Sequence, residues 1–160
     1  MESEKSVLFV CLGNICRSPI AEAIFINLLK QRKLESVWRV ESAAIESWHV
    51  GKPPDARAIK VMSDHGIDPP SRAQQIKTSD FTEFDYIFGM DESNIFRLNG
   101  VSLMNATATA KIELLGDYHP KEKGLIIEDP YYDTGDEGFK ICYEQCVECL
   151  KNFLETVHQE

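Results

Sequence analysis

Val7-Leu8-Phe9-Val10-Cys11-Leu12-Gly13-Asn14-Ile15-Cys16-Arg17-Ser18-Pro19 is the stretch on which the reading of this chain turns. Val7 to Val10 is an unbroken β-favouring apolar run, the pattern of a strand covered on both faces in a parallel sheet flanked by helices. Ser18 suits an N-cap and Pro19 the first helical position. Ile20, Ile24, Phe25, Leu28 and Leu29 then recur at helical spacing, which predicts a helix over 18–33. The loop from Cys11 to Ser18 therefore follows a strand and opens a helix, where free backbone N–H groups and the helix dipole favour an anion.

The residue types in that loop suit phosphorus chemistry. Helix N-termini and nearby cations favour the thiolate, the reactive form of cysteine. Arg17 brings a permanent cation whose planar fork can grip two oxygens of a phosphoryl group. Gly13 is expected to let the backbone turn so that successive N–H groups point inward. The Ser18 hydroxyl is placed to donate to the Cys11 sulfur, activating it as a nucleophile and later easing its departure.

Working outward, strand-like runs lie near 6–11, 37–43, 84–89 and 110–115, and helical patterns near 18–33, 53–65, 91–98 and 136–158. Their alternation predicts an α/β fold with a parallel sheet, right-handed crossovers and helices on both faces. Ligands bind beyond the carboxyl ends of the strands in such sheets, and Cys11 stands there. The 160 residues fit one domain, 1–160, without repeats or linkers. The formal net charge of −9 argues against nucleic acid or an acidic membrane as partner. No apolar run approaches transmembrane length, and the first ten residues do not read as a signal peptide. Five cysteines, an odd number, then point to reduced thiols in the cytoplasm. Asn105-Ala106-Thr107 fits a glycosylation acceptor that a cytoplasmic chain does not use.

Cys11-Leu12-Gly13-Asn14-Ile15-Cys16-Arg17-Ser18-Pro19 resembles the signature loop of the low-molecular-weight protein tyrosine phosphatases. The resemblance continues through Ser42-Ala43-Ala44, Gly51-Lys52-Pro53-Pro54-Asp55, His65-Gly66-Ile67, Phe84-Asp85-Tyr86-Ile87, Met90-Asp91-Glu92-Ser93-Asn94, Lys111-Ile112-Glu113-Leu114-Leu115-Gly116 and Glu128-Asp129-Pro130-Tyr131-Tyr132, covering essentially the whole chain. It implies a three-layer fold around a four-stranded parallel sheet. It also implies hydrolysis of phosphotyrosine in proteins through a cysteinyl-phosphate, with Cys11 as nucleophile, Arg17 as phosphate clamp and residues 12–18 as the phosphate-binding loop. No metal or cofactor is implied, and a monomer acting on phosphotyrosine-containing proteins is expected.

The leaving group needs a proton donor, and the candidate is Asp129, in a Gly/Asp/Tyr-rich stretch that reads as a surface loop stiffened by Pro130. The resemblance assigns it the general acid and base roles. It also implies that Trp48 and Tyr131 wall a pocket deep enough for a phenyl phosphate, with His49 tuning peptide preference. Cys16 is implied as a redox partner of Cys11, and Tyr131 and Tyr132 as phosphorylation sites. Phe139, Cys142, Tyr143, Cys146, Leu150, Phe153, Leu154 and Val157 form an apolar helical stripe with Cys149 beside it, so these cysteines read as core packing rather than metal ligands. His119 and His158 read as solvent residues.

One departure stands out. Many relatives carry a histidine and, three residues on, an arginine where this chain has Ser71 and Gln74. The acids beside that histidine remain as Glu22 and Glu41, and Arg72 is the candidate replacement cation. Arsenate reductases with this loop need mid-chain redox cysteines, and none lies between Cys16 and Cys142. A non-catalytic phosphotyrosine-binding module would lack Cys11 or Asp129, and both are present.

Overall fold

The computed structural model describes residues 5–158, and the apolar run lies at the centre of its sheet. Strand β1 (Lys5–Cys11) pairs in parallel with β2 (Trp38–Ala44) on one side and β3 (Tyr86–Gly89) on the other. Strand β4 (Lys111–Leu114) extends the sheet from β3, also in parallel, giving the order β2-β1-β3-β4. The helices are α1 (Arg17–Gln31), α2 (Ala56–Asp64), α3 (Asp80–Glu83), α4 (Glu92–Ser102) and α5 (Glu137–Val157).

Side chains alternate across a strand, so β1 feeds two cores. Val7 and Phe9 enter the larger one with Ile20, Phe25, Met62 and Phe153, under α1, α2 and α5. Leu8 and Val10 enter the smaller one with Phe81, Phe84, Ile87 and Leu98, under α3 and α4. Helices on both faces of a buried parallel sheet are the expected three-layer arrangement. Cys142, Cys146 and Cys149 are all buried in the larger core, as their place on the stripe suggests, and no metal-binding cluster occurs among the described residues.

Local chemistry corrects several element ends. Helix α2 begins at Ala56 rather than 53, because prolines hold the preceding residues extended and Asp55 caps the helix by accepting from the Arg57 N–H at 2.9 Å. Helix α1 stops at Gln31: Lys33 takes a left-handed φ of 56°, and the Leu34 and Lys33 N–H groups return to the Leu29 and Lys30 carbonyls, a Schellman ending without glycine. Helix α4 runs through Gly100 to Ser102, beyond its expected end. The segment after β4 closes as a 3₁₀ turn, Leu115–Tyr118, in which any side chain at Gly116 would overlap the Leu125 carbonyl. His158 is no solvent residue, since Trp38 Nε1 donates to its Nε2 at 2.9 Å. His119 is half-buried and accepts from the Lys121 and Glu122 N–H groups through Nδ1.

Two features of this frame position the site. The chain moves from β1 outward to β2, then crosses back to β3 on the opposite side, so the sheet's switch point lies at the carboxyl end of β1. Phe153 of α5 fixes the sheet beneath it, its ring centroid 4.9–5.8 Å from those of Phe25, Trp38, Tyr86, Phe88 and Tyr118. Phe153→Ala is expected to cost about 3–5 kcal/mol, read as a lowered urea midpoint with an unchanged slope.

Candidate active site

Cys11 is the last residue of β1, and α1 starts at Arg17, so five residues must reverse the chain. The reversal is made at Asn14, whose φ of 56° is unusual for a side-chain-bearing residue. Its amide holds the turn: Nδ2 donates to Ser18 Oγ at 2.7 Å and Ser42 Oγ at 2.9 Å, and Oδ1 accepts from the Gln74 N–H at 3.1 Å. Gly13, expected to provide the turn, has a different task. A Cβ there would come within 2.9 Å of the His49 ring, so the absent side chain makes room for the pocket wall.

Ser18 does not cap α1. Cys16 holds the N-cap position with no side-chain cap bond, and the Ser18 hydroxyl lies 3.0 Å from Cys11 Sγ. Because the Asn14 Nδ2 group can only donate, it occupies a lone pair of Ser18 Oγ and leaves that hydroxyl's proton for the sulfur. The Ser18 N–H adds a second donor at 3.4 Å. Ser42 continues the network by donating from Oγ to Glu22 Oε1.

Arg17 is 2% exposed. Its Nη1 donates to Asp91 Oδ2 at 2.7 Å and to the Ile127 carbonyl at 2.9 Å, and Nη2 lies 3.6 Å from Asp129 Oδ2. Burial opposes its charge, but the Cys11 sulfur, Asp91 and Asp129 outweigh that and raise its pKa further. Its Nε is a buried donor with no partner among the described residues. The N–H groups of Gly13, Asn14, Ile15 and Cys16 likewise meet no acceptor there. Unsatisfied donors in one short loop are what an oxyanion can fill.

At the sulfur is a small open cleft, lined by Cys11, Leu12, Gly13, Ile15, Cys16, Trp48, His49, Asp129, Tyr131 and Tyr132. Every residue expected from the sequence to be catalytic, pocket-forming or regulatory is thus at this cleft or in the loop beneath it. Trp48 is 58% exposed, so it is no packing aromatic. The His49 and Tyr131 rings stand 5.8 Å apart, and Tyr132 lies across Tyr131 at 4.9 Å. Asp129 Oδ1 accepts from the Tyr131 N–H at 3.1 Å.

The chain matches the family model for low molecular weight phosphotyrosine protein phosphatase over residues 6–160. The chain belongs to this family. It is 54% identical to the low molecular weight phosphotyrosine protein phosphatase of Pongo abelii, over 98% of both chains. Among solved structures, Primo-1 superposes with a TM-score of 0.89 at 44% identity, covering 94% of this chain and 97% of that one. The drosophila arginine phosphatase DARP gives 0.91 at 41%, covering 96% and 98%. As a low molecular weight phosphotyrosine phosphatase, the protein is a hydrolase of phosphate esters and a protein tyrosine phosphatase.

Some residues around this cleft are not assigned roles by the sequence. Asp91, quoted above only as part of a motif, caps α4 by accepting from the Asn94 N–H and pairs with Arg17. Its signal was an aspartate two residues after a strand adjacent to β1. Ser42, at the end of β2, ties Asn14 to Glu22. Arg72 is not the replacement cation: it is exposed and donates to the Gly51 carbonyl at 2.9 Å. Gln74 instead donates to Glu41 Oε1 at 3.2 Å and to the Ser42 carbonyl at 3.0 Å.

Without a cation, burial pushes the Glu22 carboxyl up to about 7, partly offset by the Ser42 hydroxyl and helped by nearby Glu41. The native state therefore holds a proton that the unfolded chain releases near pH 4.5. The resulting stabilisation is complete below that pH and is lost as pH rises through about 7, an effect on the order of a few kcal/mol. Glu22→Gln is expected to flatten the fall in stability between pH 4.5 and 7, measured by urea unfolding across that range.

Proposed function

We propose that this phosphatase hydrolyses phosphotyrosine in proteins, and aryl phosphates generally, through a cysteinyl-phosphate on Cys11, with residues 1–160 acting as one catalytic domain. The observation that carries this reading is a cleft in which Cys11 and Asp129 meet Trp48, His49 and Tyr131, formed at a loop whose N–H groups at 13–16 and Arg17 Nε have no partner among the described residues. Three equatorial phosphoryl oxygens satisfy those donors where charge spreads in the transition state.

Cys11 sulfur attacks phosphorus in line with the ester oxygen. Asp129 protonates the departing phenolate, leaving phosphate on sulfur. Asp129, now a carboxylate, takes a proton from a water that attacks the cysteinyl-phosphate, and the Ser18 hydroxyl stabilises the sulfur as it leaves. Leu12 and Ile15 supply the apolar lining of the loop. Trp48, His49 and Tyr131 clasp the aryl ring, and a phosphoserine is too short to bring its phosphorus down to Cys11.

DARP's name raises phosphoarginine as a substrate. A cleft whose lining offers one carboxylate, Asp129, provides little to neutralise a guanidinium, which favours an uncharged ring. Once a peroxide has oxidised Cys11 to a sulfenic acid, Cys16 is the second thiol that can displace water from it to form a protective disulfide. Both are free thiols, and burial with Cys11, Asp55 and Asp129 nearby raises the Cys16 pKa, making such closure slow at neutral pH. Tyr132, 78% exposed, is open to phosphorylation, with Tyr131 less so. A thiol nucleophile calls for a reducing compartment such as the cytoplasm, and no described helix is long and apolar enough to cross a membrane. A monomer suffices, since every group named belongs to one chain.

The test is hydrolysis of para-nitrophenyl phosphate with reductant and without added metal. Cys11→Ser is expected to abolish turnover, and Asp129→Ala to lower it about a hundred- to ten-thousand-fold. Phosphotyrosine peptides are expected to be turned over well ahead of phosphoserine or phosphoarginine peptides. Binding without turnover by the wild type would reduce the protein to a recognition module.

A further inference from the structure

The segment carrying Asp129 has no helix or strand of its own between residue 118 and the start of α5. The Asp129 carboxylate bonds only to its own loop and lies 3.6 Å from Arg17. A general acid on such a segment needs a brace, and the bonds converge on Arg57, near the start of α2.

All five N–H donors of the Arg57 guanidinium are used. Nη2 donates to the Tyr131 carbonyl at 2.9 Å, and Nη1 to the carbonyls of Asp133 at 2.7 Å and Gly135 at 3.2 Å. The other two donors grip Asp55 as a fork, Nε to Oδ1 at 3.0 Å and Nη2 to Oδ2 at 3.2 Å. The guanidinium lies 4.4 Å from the centroid of the Phe139 ring at the start of α5. Asp55 is tied in turn to the phosphate loop, its N–H donating to the Ile15 carbonyl at 2.8 Å. An unbroken path of bonds thus runs from the loop around Cys11, through Asp55 and Arg57, to the carbonyls of Tyr131, Asp133 and Gly135 in the segment that follows Asp129. Only arginine has a flat array of five donors that can grip a carboxylate while holding three carbonyls.

We propose that Arg57 is a positioning residue that sets Asp129 against the leaving oxygen, with Asp55 holding Arg57 to the phosphate loop. This rests on the assignment of Asp129 as the acid. Its consequence is selective: without Arg57, attack by Cys11 and phosphate binding persist, while protonation of the leaving group suffers. A misplacement of about 1 Å can cost about a hundredfold in such a step.

The experiment measures kcat/KM, which reports steps up to leaving-group departure, for phosphotyrosine and for 2,4-dinitrophenyl phosphate, whose anion leaves without a proton. Wild type, Arg57→Ala, Arg57→Lys, Asp129→Ala and the double variant Arg57→Ala/Asp129→Ala are compared. Arg57→Ala is expected to lose about ten- to a hundredfold with phosphotyrosine and less than about threefold with the dinitrophenyl ester. In the Asp129→Ala background the same change is expected to cost less than about twofold, because the positioned group is gone. Equal loss with both esters, or a full further loss in the Asp129→Ala background, overturns the proposal. Arg57→Lys, which keeps the charge and packing stem, is expected to show the same selective pattern and carries the comparison if Arg57→Ala does not fold. If Asp129→Ala itself shows no leaving-group dependence, the acid assignment fails; if it does and the Arg57 variants do not, only the positioning role fails.

Discussion

A guanidinium buried to 2% exposure organises this molecule. Placing a cation in an interior costs several kcal/mol unless it is paired and hydrogen-bonded, and Arg17 draws its partners from three separate places. Asp91 comes from the start of α4, the Ile127 carbonyl from the strip after the 3₁₀ turn, and Asp129 from the loop before α5. Neutralising Arg17 therefore gathers the ends of β1 and β3 and the acid-bearing loop at one point. The pairing uses the outer nitrogens and leaves Nε without a partner among the described residues, so one side chain closes the core with one donor still unpaired.

What could be read from the sequence was what local pattern encodes. The apolar run ending at Cys11, the helical recurrence after it and the alternation of strands with helices each follow from backbone periodicity. The four strands and four longer helices lie close to where those patterns put them. Helix ends were less legible because they depend on single bonds. Lys33 in a left-handed cap has no propensity signal, and Ser18 looks like an N-cap until its hydroxyl is seen at the sulfur. The inner shell of the site was legible because it is nearly contiguous in sequence. Asp91 and Ser42 were not, since their partners lie 74 and 28 residues away and depend on which strands neighbour β1. Gly13 and Asn14 exchanged roles for a related reason: Asn14 is stabilised in its turn by side-chain bonds to distant residues, which frees Gly13 to accommodate His49.

The departure at Ser71 and Gln74 is absorbed without a new cation. Gln74 supplies an N–H to Asn14 from its backbone and an amide to Glu41 from its side chain, so one neutral residue serves both the loop and an acid. Glu41 also has Arg39 at 2.7 Å, on the solvent side of the strand. Glu22 alone is left with a hydroxyl as partner, deep in the interior. The result is a continuous path from Glu22 through Ser42, Asn14 and Ser18 to Cys11. Donation runs outward from Asn14 both ways, through Ser42 to Glu22 and through Ser18 to Cys11.

Two thiols share the loop, and the structure separates their chemistry. Cys16 is buried, with Cys11, Asp55 and Asp129 around it, and each of these influences raises its pKa, so it remains a thiol. Cys11 lies five residues earlier at the end of β1, where it receives the Ser18 hydroxyl and N–H and interacts with the Arg17 cation. The carboxylates that discourage ionisation at Cys16 are the ones needed elsewhere: Asp55 grips Arg57, and Asp129 reaches over the cleft. Asp55 and Asp129 thus disfavour a charge on the Cys16 sulfur, while the Ser18 hydroxyl and N–H are directed to Cys11.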